Sequence, residues 1–275
     1  MKTVDNRLKA IAMAFAIAFA MAIPAMAQKP AENKAIKAGE TLVYDLYFNW
    51  KFVWVKCGRA TMTNVNTIYK GEPALKTHLI TRGSPDADRF FVMRDTLLAY
   101  MTPQMVPLYF RKGAEEGSRY TVNEASFSYA NGVTTAKQAY QNKDGEWEYK
   151  TNTTKDEVYC MLSMLNRARS FDANKLKPGQ RIDFLMTDHN RICQETLIYR
   201  RKEVIKAEND VKYRCIVMSF VERRDGKEKE IITFYITDDD NHMPVRLDIN
   251  LKFGSAKAFL SSGRNYKYPM TSIVK

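Results

Sequence analysis

Apolar and polar residues alternate along most of this chain, and two stretches show the alternation at its longest. The first begins at Glu40, where apolar side chains fall on one side, with Thr41, Asp45, Asn49 and Lys51 on the other. The apolar positions are Leu42, Tyr44, Leu46, Phe48, Trp50, Phe52 and Trp54. A period of two is typical of a β-strand with one buried and one solvated face. The pattern therefore predicts one long strand through Trp54.

The second stretch is residues 231–260. It predicts a strand, a tight acidic turn at residues 237–241 and then another long strand. On that strand one side carries Val245, Leu247, Ile249, Leu251 and Phe253, and the other carries Arg246, Asp248, Asn250 and Lys252. The Asp residues of the turn cap the backbone in this interpretation, because the spaced ligands of a calcium loop are missing.

One helix interrupts the strands. Thr154 and Glu157 form a capping-box pattern, and apolar residues then recur at helical spacing up to Ala168. This predicts an amphipathic helix over residues 155–170. The flanking halves, residues 39–150 and 179–268, carry similar landmarks: Gly39 and Gly179 precede strands, and Met105 has its counterpart in Met243. These landmarks suggest an internal duplication.

These patterns predict a mainly β fold: a curved antiparallel sheet or partly open β-barrel of two similar halves, with one main amphipathic helix packed against it. Residues 39–275 form a single domain in this prediction. The polar residues 28–38 are expected to be a flexible N-terminal segment.

The first 27 residues have the pattern of a signal peptide. A basic leader precedes an apolar run at residues 10–23 that is too short to span a bilayer, and Ala25-Met26-Ala27 matches a cleavage site. We therefore expect a periplasmic or otherwise exported protein that has no transmembrane segment after cleavage.

Charge narrows the classes of partner. The whole chain has a formal net charge of +12, and loss of three basic and one acidic residue with the leader leaves +10. Nucleic acid is a poor partner outside the cytoplasm, whereas anionic lipid head groups and acidic glycans remain possible. The alternative is that Lys and Arg simply cover the outward faces of strands and discourage edge-to-edge pairing.

Candidate catalytic and metal-binding residues are sparse. The chain has three histidines, His78, His189 and His242, and no Gly-x-Ser-x-Gly motif. Its four cysteines, Cys57, Cys160, Cys193 and Cys215, lack metal-ligand spacing, and both free thiols and disulfides remain open. We expect no catalytic site, no metal and no cofactor.

The aromatic strand is the better candidate for function. Its side chains either fill the core of a barrel or line a cavity for an apolar ligand. The candidate ligand-binding residues are Tyr44, Phe48, Trp50, Phe52, Trp54, Leu247, Ile249 and Leu251.

Several motifs resemble those of one family. They are Gly39-Glu40-x-Leu42-x-Tyr44 with Gly58-x-Ala60, then Lys177-Pro178-Gly179, and finally residues 236–240, 243–246 and 254–258 (ITDDD, MPVR and GSAKA). In these the chain resembles the domain-of-unknown-function 3108 family of exported bacterial proteins. The resemblance implies an envelope location and a β-rich fold, and it implies no activity.

The sequence thus favours a non-enzymatic periplasmic or envelope protein that binds a lipid, an acyl chain or another apolar ligand. The alternative is an envelope scaffold or protein-interaction module with a fully packed core, whose partner is another envelope protein.

Overall fold

The structure, a computed structural model, describes residues 28–50, 53–208, 210–224, 226–251 and 254–274, with Trp50 described by its backbone alone. The predicted signal peptide (residues 1–27), Phe52 and the side chain of Trp50 lie outside this description.

Strands make up most of the described chain. They are β1 (Glu40–Trp50), β2 (Val53–Tyr69), β3 (Glu72–Gly83), β4 (Met93–Met101), β5 (Pro107–Glu116), β6 (Arg119–Ala130), β7 (Val133–Gln141), β8 (Trp147–Thr154), β9 (Val158–Tyr159), β10 (Arg181–Asp188), β11 (Arg191–Lys206), β12 (Lys212–Arg224), β13 (Lys227–Thr237), β14 (Pro244–Asn250), β15 (Ser255–Arg264) and β16 (Ile273–Val274). The helices are α1 (Pro85–Asp88), α2 (Met161–Ala168) and a short 3₁₀ helix, Ala173–Lys175.

All sixteen described strands belong to one curved sheet that does not close. Strands β1 to β8 form one antiparallel meander and β10 to β15 another, and β1 pairs with β15 to join them. Strand β9 adds to β10 in parallel, and β16 pairs with β12. The predicted mainly β, partly open architecture of two similar halves is confirmed, because β1–β6 and β10–β15 follow one another in the same order. Whether the halves descend from a duplication stays a prediction.

Two predicted long strands are in fact hairpins. Strand β1 ends at Trp50, and Val53 begins β2, which pairs back along β1. Likewise β14 ends at Asn250, which pairs with Ser255 of β15. The prediction was wrong at both places because the apolar–polar alternation of the sequence runs on from one strand into the next, so the period of two does not mark where the first strand ends.

The helix is shorter than predicted and starts later. Residues 158–159 form β9, and the capping box lies at Cys160 and Ser163, where the Cys160 N–H donates to Ser163 Oγ over 2.9 Å. Helix α2 packs on the sheet with three sides: Leu162 joins a core cluster built mainly on β3–β7, Met164 joins one on β10–β13, and Leu165 packs against one on β1, β2 and β11–β15. It therefore fills the curved sheet.

A buried ion pair fixes this helix. At its C-terminal end Arg169 donates two hydrogen bonds to the Glu40 carboxylate, over 2.6 and 2.8 Å, and both side chains are 0% exposed. Arg169 also donates to the carbonyl of Asn241. On the sheet side Asn64 donates to Glu40, so the charges sit in a satisfied polar network.

The segment 28–38, which was expected to be flexible, makes specific contacts with the domain. Gln28 Oε1 accepts a hydrogen bond from the Val158 N–H, the Ala31 N–H donates to the Gln104 carbonyl, and Ile36 is buried against Met105. Burial and backbone pairing of this kind hold a segment in place.

We expect Arg169→Ala to lower the free energy of unfolding by about 3–5 kcal/mol, because it leaves the Glu40 charge buried and unpaired. Urea unfolding checks this value. The matched control is Arg181→Ala, which breaks an exposed pair with Glu228 and should cost less than about 1 kcal/mol. Equal losses in the two variants would contradict this role of the buried pair.

Candidate functional site

A row of apolar side chains crosses seven strands on the face that carries α2. Directly paired residues of neighbouring strands share a face, so the register alone defines the row. In order across β1, β15, β14, β13, β12, β11 and β10, its members are Phe48, Ala256, Ile249, Ile232, Phe220, Leu197 and Ile182. We call these seven residues the apolar belt. With strands about 4.8 Å apart, the belt runs for about 29 Å along the sheet.

The belt lies where the burial of this face decreases. On β1, Leu42 and Tyr44 are buried, whereas Leu46 and Phe48 are half-buried. Of the seven belt residues, Leu197 is fully buried and the other six are half-buried. Solvent thus reaches the row on β1 and on β12 to β15. At the other end of the row the next residues on β10 and β11, Phe184 and Glu195, are buried, and Phe184 belongs to the core cluster that contains Met164 of α2.

A second apolar row supports the belt from the helix side. It consists of Leu46, Ala258, Leu247, Phe234, Met218 and Tyr199, which pair in that order across β1, β15, β14, β13, β12 and β11. Ala258, Met218 and Tyr199 are buried, and Met218 shares a core cluster with Met164 of α2. On its helix side the belt is therefore bordered by core residues at Ala258, Met218 and Tyr199.

The predicted site residues divide between different surroundings. Phe48 and Ile249 lie in the belt, and Leu247 lies in the supporting row. Tyr44 is core: its hydroxyl donates to the Pro244 carbonyl over 3.0 Å, and burial raises its pKa. Leu251 follows β14 and is 43% exposed.

Trp54 is on the opposite face of the sheet from Phe48. It belongs to β2 and pairs with Asn49, whereas Phe48 pairs with Val55. Its ring lies under the ammonium group of Lys257, 4.2 Å from the ring centroid. The predicted common face for Tyr44 through Trp54 is thus wrong at Trp54, because the chain has already turned.

Sequence reasoning missed five belt residues: Ile182, Leu197, Phe220, Ile232 and Ala256. Only the pairing of strands shows that they continue the row from Phe48 and Ile249. The similar landmarks of the two halves gave no information on which strand edges pair with each other.

A buried carboxyl borders the belt. Glu195 lies two residues from Leu197 on the same face of β11 and pairs with Phe184 and Glu222. It is 5% exposed, and its Oε2 atom has no hydrogen-bond partner among the described residues. Burial, with a smaller effect of the Glu222 charge, raises the pKa of Glu195 to about 7.

A separate cleft of about 660 Å³ lies where the two ends of the sheet approach each other. Its lining is Tyr140, Glu148, Tyr149, Lys150, His189, Asn190 and Arg191. Side chains bridge the ends: Gln138 donates to the carbonyls of His189 and Arg191, and Asn152 donates to that of Asn190.

His189 has a carboxylate partner in this cleft, with 2.7 Å between its Nδ1 and Asp188 Oδ1. The lining residues include no Ser, Thr or Cys that this pair would activate as a nucleophile. His242 is engaged elsewhere, with its Nδ1 2.7 Å from the Arg169 carbonyl.

Within the part of the chain that the structure describes, no group of three or more His, Cys, Asp or Glu residues is arranged to hold a metal ion. All four cysteines are free thiols, with Cys160 and Cys215 buried. No described helix has the length and apolar character needed to cross a bilayer.

Comparison with known proteins gives a family and a fold. A family model described as protein of unknown function DUF3108 matches residues 43–261. No curated protein matches the chain. Among solved structures, the chain is similar to a beta-barrel-like protein of domain of unknown function DUF1849 from Brucella abortus, with a TM-score of 0.53 and 9% identity. That match covers 90% of this chain and 100% of the other, and at this identity it shows the fold alone.

The raised pKa of Glu195 predicts that stability falls as pH rises. Between the unfolded pKa near 4.5 and the folded value near 7 the native state holds the extra proton, so deprotonation disfavours folding. The full effect is about 3 kcal/mol. Urea unfolding of the wild type at about pH 5 and about pH 8 should show this loss, and Glu195→Gln should remove it. Parallel pH curves for the two proteins would show that Glu195 is not the group responsible.

Proposed function

The chain belongs to the DUF3108 family of proteins of unknown function, and we propose that it is a non-enzymatic exported protein that binds a lipid or another apolar chain along the apolar belt. The belt is the observation that carries the proposal. The belt is a row of seven apolar residues, six of them half-buried, on a face whose other part is packed core, and extended apolar surfaces mark sites of interaction.

The shape of the belt suits a long, thin ligand. The row is about 29 Å long and one residue wide. On β11 its member Leu197 lies between Tyr199 of the supporting row and the buried Glu195. A flexible acyl chain laid across the strands contacts every member of the row, and contact with apolar side chains removes its surface from water.

Export is the second part of the proposal. The basic leader, the apolar run of residues 10–23 and Ala25-Met26-Ala27 form a signal-peptide pattern, which supports a periplasmic location. A barrel-like sheet that offers an apolar surface suits a compartment bounded by two membranes, where apolar chains must pass through water.

We expect the protein purified from its own envelope to carry a lipid in native mass spectrometry, and to bind a fluorescent fatty acid in solution. Ile249→Asn places an amide in the belt, and we expect it to weaken fatty-acid binding by about tenfold or more. The control is Ile68→Asn, at a side chain that is 64% exposed at the far end of β2. A wild-type protein that neither carries lipid nor binds the probe would contradict the proposal.

The second candidate function, an envelope interaction module, rests on β8. This strand ends the sheet, and it exposes a stacked aromatic pair, Trp147 and Tyr149, with ring centroids 6.0 Å apart. Tyr149 is 75% exposed. An unpaired strand edge with exposed aromatic side chains is a surface that adds an extended segment of a partner protein.

A photo-crosslinking amino acid at position 149, in cells that express the protein from its own gene, tests this second candidate. We expect one discrete protein adduct, and the same group at Tyr120 on β6, which is 48% exposed, should not form it. Absence of an adduct at position 149, or the same adduct from both positions, would contradict an interaction at β8.

A further inference from the structure

The belt has polar residues along one border, and they belong to the same face. Beyond Ile182, Leu197 and Phe220, the next paired residues on β10, β11 and β12 are Phe184, Glu195 and Glu222. Phe184 and Phe220 lie close, with ring centroids 6.3 Å apart. Glu195 therefore sits beside two aromatic rings at one end of an apolar row.

The positively charged side chains near Glu195 form ion pairs with other carboxylates. Arg224 lies 3.0 Å from Glu222 and 3.6 Å from Asp188. Lys229 of β13 faces Glu222 in the register, and Cys193 is the next residue of β11 on this face. Within the described residues no cation forms an ion pair with Glu195. A carboxyl that is 95% buried thus has one oxygen, Oε2, without a hydrogen-bond donor.

A buried carboxylate without a partner is costly, and a ligand that supplies a cation removes the cost. Arg224 and Arg191 both pair with Asp188, and Arg224 also pairs with Glu222, so these arginines are engaged by carboxylates other than Glu195. Glu195 is thus the carboxyl of this group that lacks a cation partner among the described residues, and it lies on an apolar face. An anionic head group would meet like charge here, whereas an ammonium group would find complementary charge and an acceptor oxygen.

We propose that Glu195 receives the ammonium group of an amphipathic amine whose hydrocarbon chain lies along the apolar belt. This inference rests on the proposed function, because it assigns the head group of the ligand that the belt would bind.

The pKa of Glu195 gives the proposal a pH dependence. With that pKa near 7, the carboxyl is mostly neutral at acidic pH and mostly ionised at about pH 8. The other titratable or charged groups on this side are Asp188, Arg191, Cys193, Glu222, Arg224 and Lys229. A bound ammonium favours the ionised carboxylate, so affinity for the amine should rise with pH across this range.

Two probes of equal chain length and opposite charge test the inference: dodecylammonium and dodecanoate, each used below its micelle concentration in isothermal titration calorimetry. At about pH 8 we expect the wild type to bind dodecylammonium about tenfold more tightly than dodecanoate. At about pH 5.5 the preference should shrink. Glu195→Gln should abolish both the preference and its pH dependence while it retains or improves dodecanoate binding.

The control is Glu228→Gln, which removes a carboxylate paired with Arg181 and should keep the wild-type preference. If Glu195→Gln keeps the preference, or if the wild type binds both probes equally, the inference is overturned while the proposed function stands. If the wild type binds neither probe, the proposed function itself fails. The pH series on the wild type decides the matter even if a variant folds poorly, because a preference that does not change with pH excludes Glu195 as the anchor.

Discussion

The ion pair between Glu40 and Arg169 joins the parts of this fold that would otherwise be independent. Glu40 opens β1, the strand at which the two meanders meet, and Arg169 ends the helix that fills the curved sheet. The same arginine donates to the Asn241 carbonyl in the turn before β14. One side chain thus holds the helix, the centre of the sheet and the second meander together. A buried charge pair needs hydrogen-bond partners to be tolerated in the core. Asn64 donates to Glu40, Thr77 donates to Asn64, and Asn166 donates to Thr77.

The position of this pair decides where the apolar face is left uncovered. Helix α2 has eight residues, about 12 Å of length, whereas β1 has eleven residues and spans about 35 Å. Anchored at the Glu40 end, the helix packs through Leu165 against the core cluster that contains Leu42 and Tyr44, and Phe48 is not part of that cluster. The belt is therefore a consequence of a short helix in a long-stranded sheet. A buried carboxyl at its border gives the surface a polar end, which is the arrangement that an amphipathic ligand requires.

Alternation of apolar and polar residues depends only on neighbours in the sequence, and it predicted the features that depend on such neighbours. It identified the β class, the strands and the helix, and it placed Phe48 and Ile249 on apolar faces. It failed between β1 and β2 and between β14 and β15, where the alternation of the sequence runs on from one strand into the next, so Trp54 was assigned to the wrong face. It also failed at the start of the helix. Residues 158–159 form β9 because they pair with residues 185–186 of β10, and these partners are 27 residues apart in the sequence.

The apolar–polar alternation does not predict which strands pair when they are distant in the sequence. Nothing in the residues of β1 shows that it pairs with β15, and without that pairing Phe48 and Ile249 are not neighbours in one row. Nothing in the sequence predicted that Glu195 is buried, because a single Glu in an alternating strand is normally exposed. Its neighbours on the face, Phe184 as its direct partner and Phe220 beside it, are known only from the pairing of β10, β11 and β12.

The central claim is that the apolar belt binds an apolar chain, and methyl NMR with a spin-labelled fatty acid tests it most directly. The claim predicts that the methyl signals of Ile182, Ile232 and Ile249 broaden together as the fatty acid is added. The signals of Ile68 and Ile273, which are 64% and 44% exposed, should remain sharp. Broadening at Ile68 and Ile273 with unchanged belt signals, or no broadening at any isoleucine, would contradict the claim.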